Sequence, residues 1–484
     1  MKKLTDILKN TPVREVCGDT AAAIGGLVYD SRAVKPGDCF FAVPGTQSDG
    51  HDYIPIAVEK GAAAIVCERM PADAAEGVAY VLVGDSAGAM ADMAAAFYDY
   101  PSRELKLVGI TGTNGKTTTA TLLYDLVRAM GYKAGLISTV VYKIDGREVE
   151  ATHTTPDSIR LNAMMREMAD AGCAYCFMEC SSHAIVQERT RGLDFAGGIF
   201  SNITHDHLDY HKTFAEYIRA KKLFFDGLPK GAFALTNADD RNGRVMVQNT
   251  AAAVSAYSLR AMADFRCKIV EMHLDGMLLR IDGQELWVGL LGRFNAYNLL
   301  AVYGAAVLLG LDRGEVLRVL SMLHAVSGRF EKIRAANGTT AIVDYAHTPD
   351  ALENVIQTIE EIRTPGQQLI VVCGCGGDRD RTKRPEMAAI AVKYATTAVF
   401  TSDNPRHESP EAILDDMVAG LEPSARYLRI ADRAEAIRTA VMLSRPGDII
   451  LVAGKGHETY QIVGDVKHPF DDREEIKKRF ALLN

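Results

Sequence analysis

The spacing of hydrophobic and polar residues along the chain predicts alternating strands and helices. Short apolar runs such as LKLVGIT (105–111), TAVF (397–400) and DIILVA (448–453) have the length of buried strands. Longer segments between them, for example KTTTATLLYDLVRAMGY (116–132), repeat their apolar positions with a helical period. Strands that alternate with helices predict an α/β protein with mostly parallel sheets.

Two polar segments divide this pattern into three blocks. YDYPSRELK (98–106) contains Pro101 and has the composition of a linker, and SGRFEKI (327–333) marks a second junction. We therefore predict three α/β domains, at residues 1–102, 103–330 and 331–484. The third block resembles a dinucleotide-binding fold, but no Gly-x-Gly-x-x-Gly follows its first strand, so we predict no dinucleotide there.

Composition limits the function classes. The chain has 484 residues, a formal net charge of -8 and a charged fraction of 24%, which argue against general nucleic-acid binding. No apolar run has the length of a membrane helix, and the first ten residues lack the features of a secretion signal, so we expect a cytoplasmic protein that does not insert into a membrane. A monomer is the default expectation. Most of the nine cysteines lie in apolar, strand-like runs, which favours buried free thiols over a zinc site.

The segment VGITGTNGKTTT (108–119) has the parts of a phosphate-binding loop, although its glycines depart from the usual spacing. A strand leads through Gly112 and Gly115 into a helix whose free N–H groups favour anions. Lys116 is placed to reach the β- and γ-phosphates of a nucleotide, and Thr117 to bind Mg²⁺. A regulatory GTPase is an alternative, but only a lone Asp-x-x-Gly (194–197) is present and no Asn-Lys-x-Asp.

A second polar region follows the loop. Glu179 ends an apolar strand, where proteins with a phosphate-binding loop place a Mg²⁺-binding carboxylate. The segment THDHLDYH (204–211) has three histidines, which a solvated loop or a zinc site would also explain, but no compact set of four zinc ligands is evident.

Together, GTNGKTT, MECSSHAIVQER and SNITHDHLDYHKTFAEYIRAKKLFF resemble the motifs of the Mur ligase family, which includes folylpolyglutamate synthetases. The resemblance implies a ligase that uses ATP to convert a carboxylate into an acyl phosphate, which an amine then attacks. It also implies two Mg²⁺ ions, held by Thr117, Glu179, His207 and a carbamate that CO₂ forms on Lys221. The implied catalytic residues are Lys116, Glu179, His207 and Lys221.

The same resemblance assigns binding residues in all three blocks. The implied ATP site consists of Gly112, Thr113, Asn114, Gly115, Lys116, Thr117, Thr118, Asn295, Asn298, Arg329 and Asp344. The first block and the segment HTTPD resemble members that bind a UDP-N-acetylmuramoyl dipeptide, and the implied contacts are Tyr29, Ser31, Thr46, Gln47, Ser48, Thr154, Thr155, Ser181, Gln187 and Arg189. His153 stands where the family leads us to expect Asn.

The third block bears on the amine substrate. SDNPRHESP (402–410) follows a strand directly, so it lies at a ligand-binding edge of the sheet, and Arg406 is suited to hold a carboxylate. By resemblance, Asp-Asn-Pro-Arg marks members that add meso-diaminopimelate, with Arg379, Asp403, Asn404, Pro405, Arg406, Gly454 and Glu458 as the implied contacts. An L-lysine-adding enzyme, a folylpolyglutamate synthetase and a nucleotide-binding regulatory protein without ligase activity remain alternatives.

Overall fold

Three α/β units follow one another along the chain in the computed structural model, which describes residues 1–45, 48–204 and 208–483. Their main sheets have five, eleven and six strands. The predicted α/β class with three domains is confirmed, whereas the boundaries after residues 102 and 330 remain predictions. No helix in the described part of the chain is long and apolar enough to cross a membrane.

The N-terminal sheet has the strand order β2-β7-β6-β5-β4, with only β2 antiparallel to its neighbour. Its elements are β1 (Lys2–Lys3), α1 (Leu4–Ile7), β2 (Val13–Cys17), β3 (Ala23–Ile24), β4 (Leu27–Val28), β5 (Cys39–Phe41), α2 (Ile54–Glu59), β6 (Ala64–Cys67), β7 (Ala79–Val83) and α3 (Ser86–Phe97). The predicted linker contains a 3₁₀ turn at Pro101–Glu104.

The central sheet has the order β11-β10-β9-β12-β8-β13-β14-β15-β16-β17-β18. Its strands are β8 (Lys106–Thr111), β9 (Ala134–Ile137), β10 (Val141–Ile144), β11 (Arg147–Glu150), β12 (Tyr175–Glu179), β13 (Gly197–Phe200), β14 (Phe233–Asn237), β15 (Ala253–Ser258), β16 (Phe265–His273), β17 (Gly276–Ile281) and β18 (Gln284–Val288). Its helices are α4 (Lys116–Ala129), α5 (Ser158–Asp170), α6 (Ser182–Val186), α7 (Leu208–His211), α8 (Phe214–Asp226), α9 (Gly243–Val247), α10 (Arg293–Leu308) and α11 (Arg313–Leu320). In this spatial order, the seven neighbouring strands β9, β12, β8, β13, β14, β15 and β16 are parallel, as predicted. The strands outside them, β10 and β11 at one edge and β17 and β18 at the other, are antiparallel to their neighbours.

The C-terminal sheet has the order β19-β20-β24-β21-β22-β23, with antiparallel β19 at one edge. Its strands and the following hairpin are β19 (Glu331–Arg334), β20 (Thr340–Asp344), β21 (Leu369–Cys373), β22 (Thr397–Phe400), β23 (Tyr427–Arg429), β24 (Ile449–Ala453), β25 (Tyr460–Val463) and β26 (Val466–Pro469). Its helices are α12 (Pro349–Ile362), α13 (Lys383–Tyr394), α14 (Pro410–Val418), α15 (Arg433–Leu443) and α16 (Asp472–Phe480).

The strands in the middle of the central and C-terminal sheets, such as β8, β13, β21 and β24, are almost wholly apolar and buried, as expected for parallel strands covered on both faces. The cysteines in these runs are buried free thiols, as predicted. Burial raises the pKa of the Cys176 and Cys180 thiols well above its usual value, so both stay protonated and serve as small apolar side chains.

Candidate active site

A cavity of about 580 Å³ lies where the carboxyl ends of the central strands face the start of the C-terminal domain. Its wall combines residues that follow β8, β12, β13 and β14 with residues that follow β20. Ligands of α/β sheets bind at this edge of the strands. The sequence-predicted residues in the wall are Thr113, Asn114, Gly115, Lys116, Thr117, Thr118, Thr154, Glu179, Ser181, Asn298, Arg329 and Asp344.

The glycine loop is fixed by the neighbouring strand end. The backbone N–H of Thr113 donates to the carbonyl of Asn202 (2.8 Å), and that of Asn114 donates to the Asn202 side chain (3.0 Å). Gly115 has a φ of 85°, and a Cβ there would lie 2.5 Å from Asn298 Oδ1. Only glycine suits this turn, which aims the first free N–H groups of α4 at the cavity.

Two lysines meet at one carbonyl of the loop. Lys116 Nζ donates to the oxygens of Gly112 (3.0 Å) and Thr113 (2.8 Å), and Lys221 Nζ donates to the same Gly112 oxygen (2.8 Å). Lys221 is buried and lies over the ring of Tyr217, whereas Lys116 lines the cavity. The two cations therefore lie within about 6 Å of each other, where like charges repel.

Oxygen ligands suited to Mg²⁺ face the cavity next to this pair. They come from the hydroxyl of Thr117 and the buried carboxylate of Glu179. Glu179 Oε1 accepts from the backbone N–H of Thr139 (2.7 Å), which orients the carboxylate. His207, the remaining predicted ligand, lies outside the described residues. Among the described residues, no three His, Cys, Asp or Glu side chains form a group that could hold a metal ion.

The two predicted ATP contacts on α10 differ in position. Asn298 lines the cavity, but Asn295 lies behind it, donating to the carbonyl of Leu291 (2.8 Å) and accepting from Asn298 Nδ2 (3.2 Å). Asn295 thus orients Asn298 and does not face the cavity. Tyr297, which the sequence did not single out, lines the wall and donates to Asp239 (2.7 Å).

Arg329 and Asp344 connect the central and C-terminal domains. An Nη of Arg329 lies 3.3 Å from the Thr117 hydroxyl, and the guanidinium covers the ring of Tyr345 at 4.5 Å. Asp344 accepts from the backbone N–H of Phe330 (2.7 Å). Burial raises the pKa of Asp344, and the nearby charge of Arg329 opposes that rise. A second link crosses the cavity, because Asn114 Nδ2 donates to Asp350 (2.9 Å).

The predicted dipeptide contacts in the central domain form one hydrogen-bonded group. Thr155 donates to the carbonyl of Glu179 (2.7 Å) and accepts from the backbone N–H of Ser181 (3.2 Å). Arg189 donates to the carbonyl of Thr155 (2.7 Å) and to Gln187 (2.6 Å). Thr154 and Ser181 line the cavity, so this group lies directly beside the Glu179 carboxylate.

The predicted N-terminal contacts are only partly described. Tyr29 is half-exposed, and burial raises the pKa of its hydroxyl, with further effects from the charges of Asp157 and Arg189. Tyr29 therefore adjoins the Arg189 group across the domain boundary. Ser31 is buried and Ser48 exposed. Thr46 and Gln47 lie outside the described residues.

The Asp403–Arg406 segment follows β22 and is tightly packed. Asp403 and Asn404 are buried, and Arg406 has a φ of 50°. The guanidinium of Arg406 donates to the carbonyl of Gly377 (2.8 Å). Burial lowers the pKa of Arg406 and the nearby charge of Arg379 lowers it further, whereas the carboxylates of Asp403, Glu458 and Asp378 oppose this shift.

The remaining predicted contacts of the C-terminal domain surround this segment. Glu458 accepts from Asn404 Nδ2 (2.8 Å), and a Cβ on Gly454, whose φ is 114°, would collide with the Asp403 carboxylate. Arg379 is exposed. The group adjoins the cavity through Tyr345, which lines the wall and whose pKa is raised by burial and by the charges of Glu458 and Asp403.

Several wall residues were not predicted. They are Thr139, Ser201, Asn202, Thr204, Asn237, Asp239, Asp240, Tyr257, Arg260, Arg293, Phe294, Tyr297, Tyr345, Ala346, His347, Asp350, Ala351, Asn354 and Val355. The sequence contains one signal for some of them, because the polar segment NADD (237–240) begins at the last residue of the buried strand β14. A polar segment at that position lies at the ligand-binding edge of a parallel sheet.

Comparison with known families gives matches in all three units. The Mur ligase middle domain matches residues 110–306, the glutamate ligase domain of Mur ligases matches residues 328–456, and the catalytic domain of the Mur ligase family matches residues 23–98.

Two relatives and one solved structure that match along almost the whole chain carry the same name. A Phocaeicola vulgatus protein, 55% identical over 99% of both chains, is called UDP-N-acetylmuramoyl-L-alanyl-D-glutamate–2,6-diaminopimelate ligase. A Bacteroides fragilis protein of the same name is also 55% identical over 99% of both chains. A solved structure of an enzyme with that name superposes with a TM-score of 0.71 at 31% identity and covers 99% of each chain.

Proposed function

Because the chain belongs to the Mur ligase family, we propose that it joins meso-2,6-diaminopimelate to the γ-carboxylate of D-glutamate in UDP-N-acetylmuramoyl-L-alanyl-D-glutamate. It is an ATP-dependent ligase that forms a C–N bond in peptidoglycan precursor synthesis. One observation carries the proposal: a single cavity is lined by the phosphate loop, by Thr154 and Ser181, and by Tyr345, which adjoins the Asp403–Arg406 segment.

The chemistry follows from this arrangement. An oxygen of the γ-carboxylate attacks the γ-phosphorus of ATP, and ADP leaves. The amine of diaminopimelate then attacks the carbonyl carbon of the acyl phosphate, loses a proton and expels phosphate. Lys116 and the N–H groups at the start of α4 balance the phosphate charge, and Arg329 reaches the phosphates from the domain junction.

The residues present fit a magnesium site. Thr117, Glu179, His207 and a carbamate on Lys221 would hold two Mg²⁺ ions, which when bound neutralise the charge between carboxylate and triphosphate. The fit of the carbamate rests on the lysine pair at Gly112, because carbamylation converts Lys221 into an anion about 6 Å from the Lys116 cation.

The amine subsite is assigned by charge. Arg406 and Arg379 are two guanidinium groups close enough to influence each other, and we assign them the distal carboxylate of diaminopimelate. Glu458, Asn404 and Gly454 face the distal ammonium. L-Lysine lacks the distal carboxylate and would leave the two arginines without a ligand carboxylate, which disfavours it.

Cellular location and assembly are part of the proposal. ATP and a uridine nucleotide are cytoplasmic metabolites, so we assign the reaction to the cytoplasm. The three domains of one chain supply every residue assigned above, so a monomer is sufficient, and sedimentation in the presence of nucleotide would test this.

The proposed reaction is tested by phosphate release from ATP. We expect release only when the UDP-linked dipeptide and meso-diaminopimelate are both present, with a product mass equal to the dipeptide plus diaminopimelate minus water. Equal rates with L-lysine would contradict the assigned amine. Phosphate release that needs neither substrate would contradict the ligase reaction itself.

A further inference from the structure

Lys455 is a fully buried lysine in the turn between β24 and β25, beside the proposed amine subsite. Its Nζ donates to Glu458 Oε2 (2.9 Å) and to Asn404 Oδ1 (3.1 Å), and it lies 5.7 Å from the centre of the Tyr460 ring. Burying an ammonium group costs free energy unless the group is paired and hydrogen-bonded. Two of these groups, Glu458 and Asn404, are predicted contacts of the amine subsite.

These bonds fix the orientation of Asn404. Its Oδ1 accepts from Lys455 Nζ and from the backbone N–H of Ile462 (2.9 Å), while its Nδ2 donates to Glu458 Oε2 (2.8 Å). With two donors on its oxygen, the amide cannot turn over without losing both bonds. The same arrangement brings two donors to Oε2 of Glu458, which holds this carboxylate in one orientation.

The lysine also sets the charge of the subsite. Its ammonium compensates part of the Glu458 charge, so that three cationic side chains, Lys455, Arg406 and Arg379, stand against three carboxylates, Glu458, Asp403 and Asp378. A ligand whose far end carries both a carboxylate and an ammonium is balanced in this setting. A ligand whose far end carries only an ammonium adds an unbalanced positive charge there and offers no carboxylate to Arg406 and Arg379.

We infer that Lys455 is a positioning and specificity-determining residue, which holds Asn404 and Glu458 for the distal end of a diamino dicarboxylic acid and disfavours L-lysine. This inference rests on the proposed function and deepens its amine subsite. Lys455 acts through its two partners and does not itself contact the reacting amine or the acyl phosphate.

Kinetics of Lys455→Met test this directly. The KM for meso-diaminopimelate should rise at least tenfold, while the KM values for ATP and for the UDP-linked dipeptide stay within twofold. The ratio of kcat/KM for meso-diaminopimelate over L-lysine should fall at least tenfold. Lys467→Met is the matched control, because Lys467 lies over the same Tyr460 ring (4.3 Å) but is exposed, and it should leave all these constants within twofold.

If Lys455→Met does not fold, the same substitution can be tested in a protein that also carries Glu458→Gln. With Glu458→Gln the buried pair loses its negative member, so the double variant Lys455→Met/Glu458→Gln contains no unpaired buried charge. Glu458→Gln already removes the charge of one partner of Lys455, and the other partner, Asn404, keeps its bond from the backbone N–H of Ile462, so the double variant should show a KM for meso-diaminopimelate within threefold of Glu458→Gln alone. A further tenfold rise would overturn the inference.

Two other outcomes have distinct meanings. An unchanged KM for meso-diaminopimelate in folded Lys455→Met, or an equal rise for all three substrates, would overturn the role of Lys455 while the ligase reaction stands. A native enzyme that joins neither amino acid to the dipeptide would instead reject the proposed function.

Discussion

The nucleotide end of the cavity and the amine subsite are built in opposite ways. At the nucleotide end, Lys116 donates to carbonyls of its own loop, at Gly112 and Thr113. At the amine subsite, Lys455, Asn404 and Glu458 bond to one another through their side chains. The first arrangement must open for a phosphate to be bound, whereas the second is already assembled.

This difference matches what each end must do. ATP carries three phosphates whose charges move during the reaction. Lys116 can exchange its bonds to the loop carbonyls for bonds to phosphate oxygens, so its position before ATP binds costs little affinity. An amino acid must be distinguished from close analogues, and discrimination is greatest when buried polar groups are fixed before the ligand arrives. We therefore expect substitutions at the nucleotide end to lower kcat and substitutions at the amine subsite to raise one KM selectively.

Lys116→Ala should have the largest effect. If it raised the KM for ATP and left kcat unchanged, the contrast between the nucleotide end and the amine subsite would be wrong. We expect kcat to fall by about 10³-fold, because the phosphate charge that develops in the transition state loses its closest cation. Phosphate release at saturating substrates measures this, and circular dichroism checks the fold. Lys230→Ala, at an exposed position of the same domain, is the control and should keep native activity.

Lys221→Ala tests whether Lys221, the buried member of the lysine pair at Gly112, acts as a carbamate. We expect kcat to fall by about 10²-fold, since a buried anion that helps to hold Mg²⁺ is lost. Short carboxylic acids such as acetate or propionate should restore part of the activity, and native enzyme should lose activity when CO₂ is removed. Lys222→Ala, the next residue of α8, pairs with Asp226 and serves as the control. Full activity of Lys221→Ala would contradict the carbamate.

Arg406→Ala tests the preassembled end. The KM for meso-diaminopimelate should rise by about 10²-fold, as expected for loss of a desolvated charge that pairs with a carboxylate. The KM for ATP should change less than twofold. Arg426→Ala, an exposed arginine of the same domain, is the control. Equal increases for ATP and diaminopimelate would show that Arg406 supports the domain and not the subsite.

The same contrast explains how much the sequence predicted. The loop, its helix and Glu179 were predictable from residues alone, because each lies at the end of a buried apolar strand and their order follows the chain. Asn404 and Glu458, 54 positions apart, were assigned only by family resemblance. Lys455 was not singled out, because a lysine between glycines resembles a surface turn until its burial is known.

Other features could not be predicted from local pattern. Asp350 joins the cavity through Asn114, 236 positions away, and no periodicity encodes such a contact. The antiparallel strands β16 to β18 were missed because FRCKIVEMH mixes polar and apolar residues without the continuous run of a buried parallel strand. Asn295 and Asn298 were both assigned to ATP by family resemblance, but their positions on α10 decide that Asn298 faces the cavity and Asn295 supports it.

The smallest effect is expected at His457, which lies between the nucleotide end of the cavity and the amine subsite. Its titration reports whether water is excluded from the junction of these two regions. Its ring lies 5.0 Å from that of Tyr345, and burial together with the charges of Arg329 and Arg473 lowers its pKa to about 3. Below pH 6.5 the unfolded chain therefore takes up a proton that the folded chain excludes, so stability falls as pH drops from 6.5 towards 3. At pH 5.5 this costs at most about 1 kcal/mol, since the ring keeps some solvent contact.

His457→Gln removes this titration, so we expect the drop in Tm between pH 7.5 and pH 5.5 to be about 2 °C smaller in the variant than in the native protein. Thermal unfolding at both pH values measures the difference, which does not depend on any change in stability that the substitution causes at pH 7.5. His468→Gln, on the exposed strand β26, is the control and should leave the native pH dependence unchanged. An identical drop in His457→Gln would mean that the ring is protonated in the folded protein. The junction would then be wet, and the amine subsite would be no more preassembled than the phosphate loop.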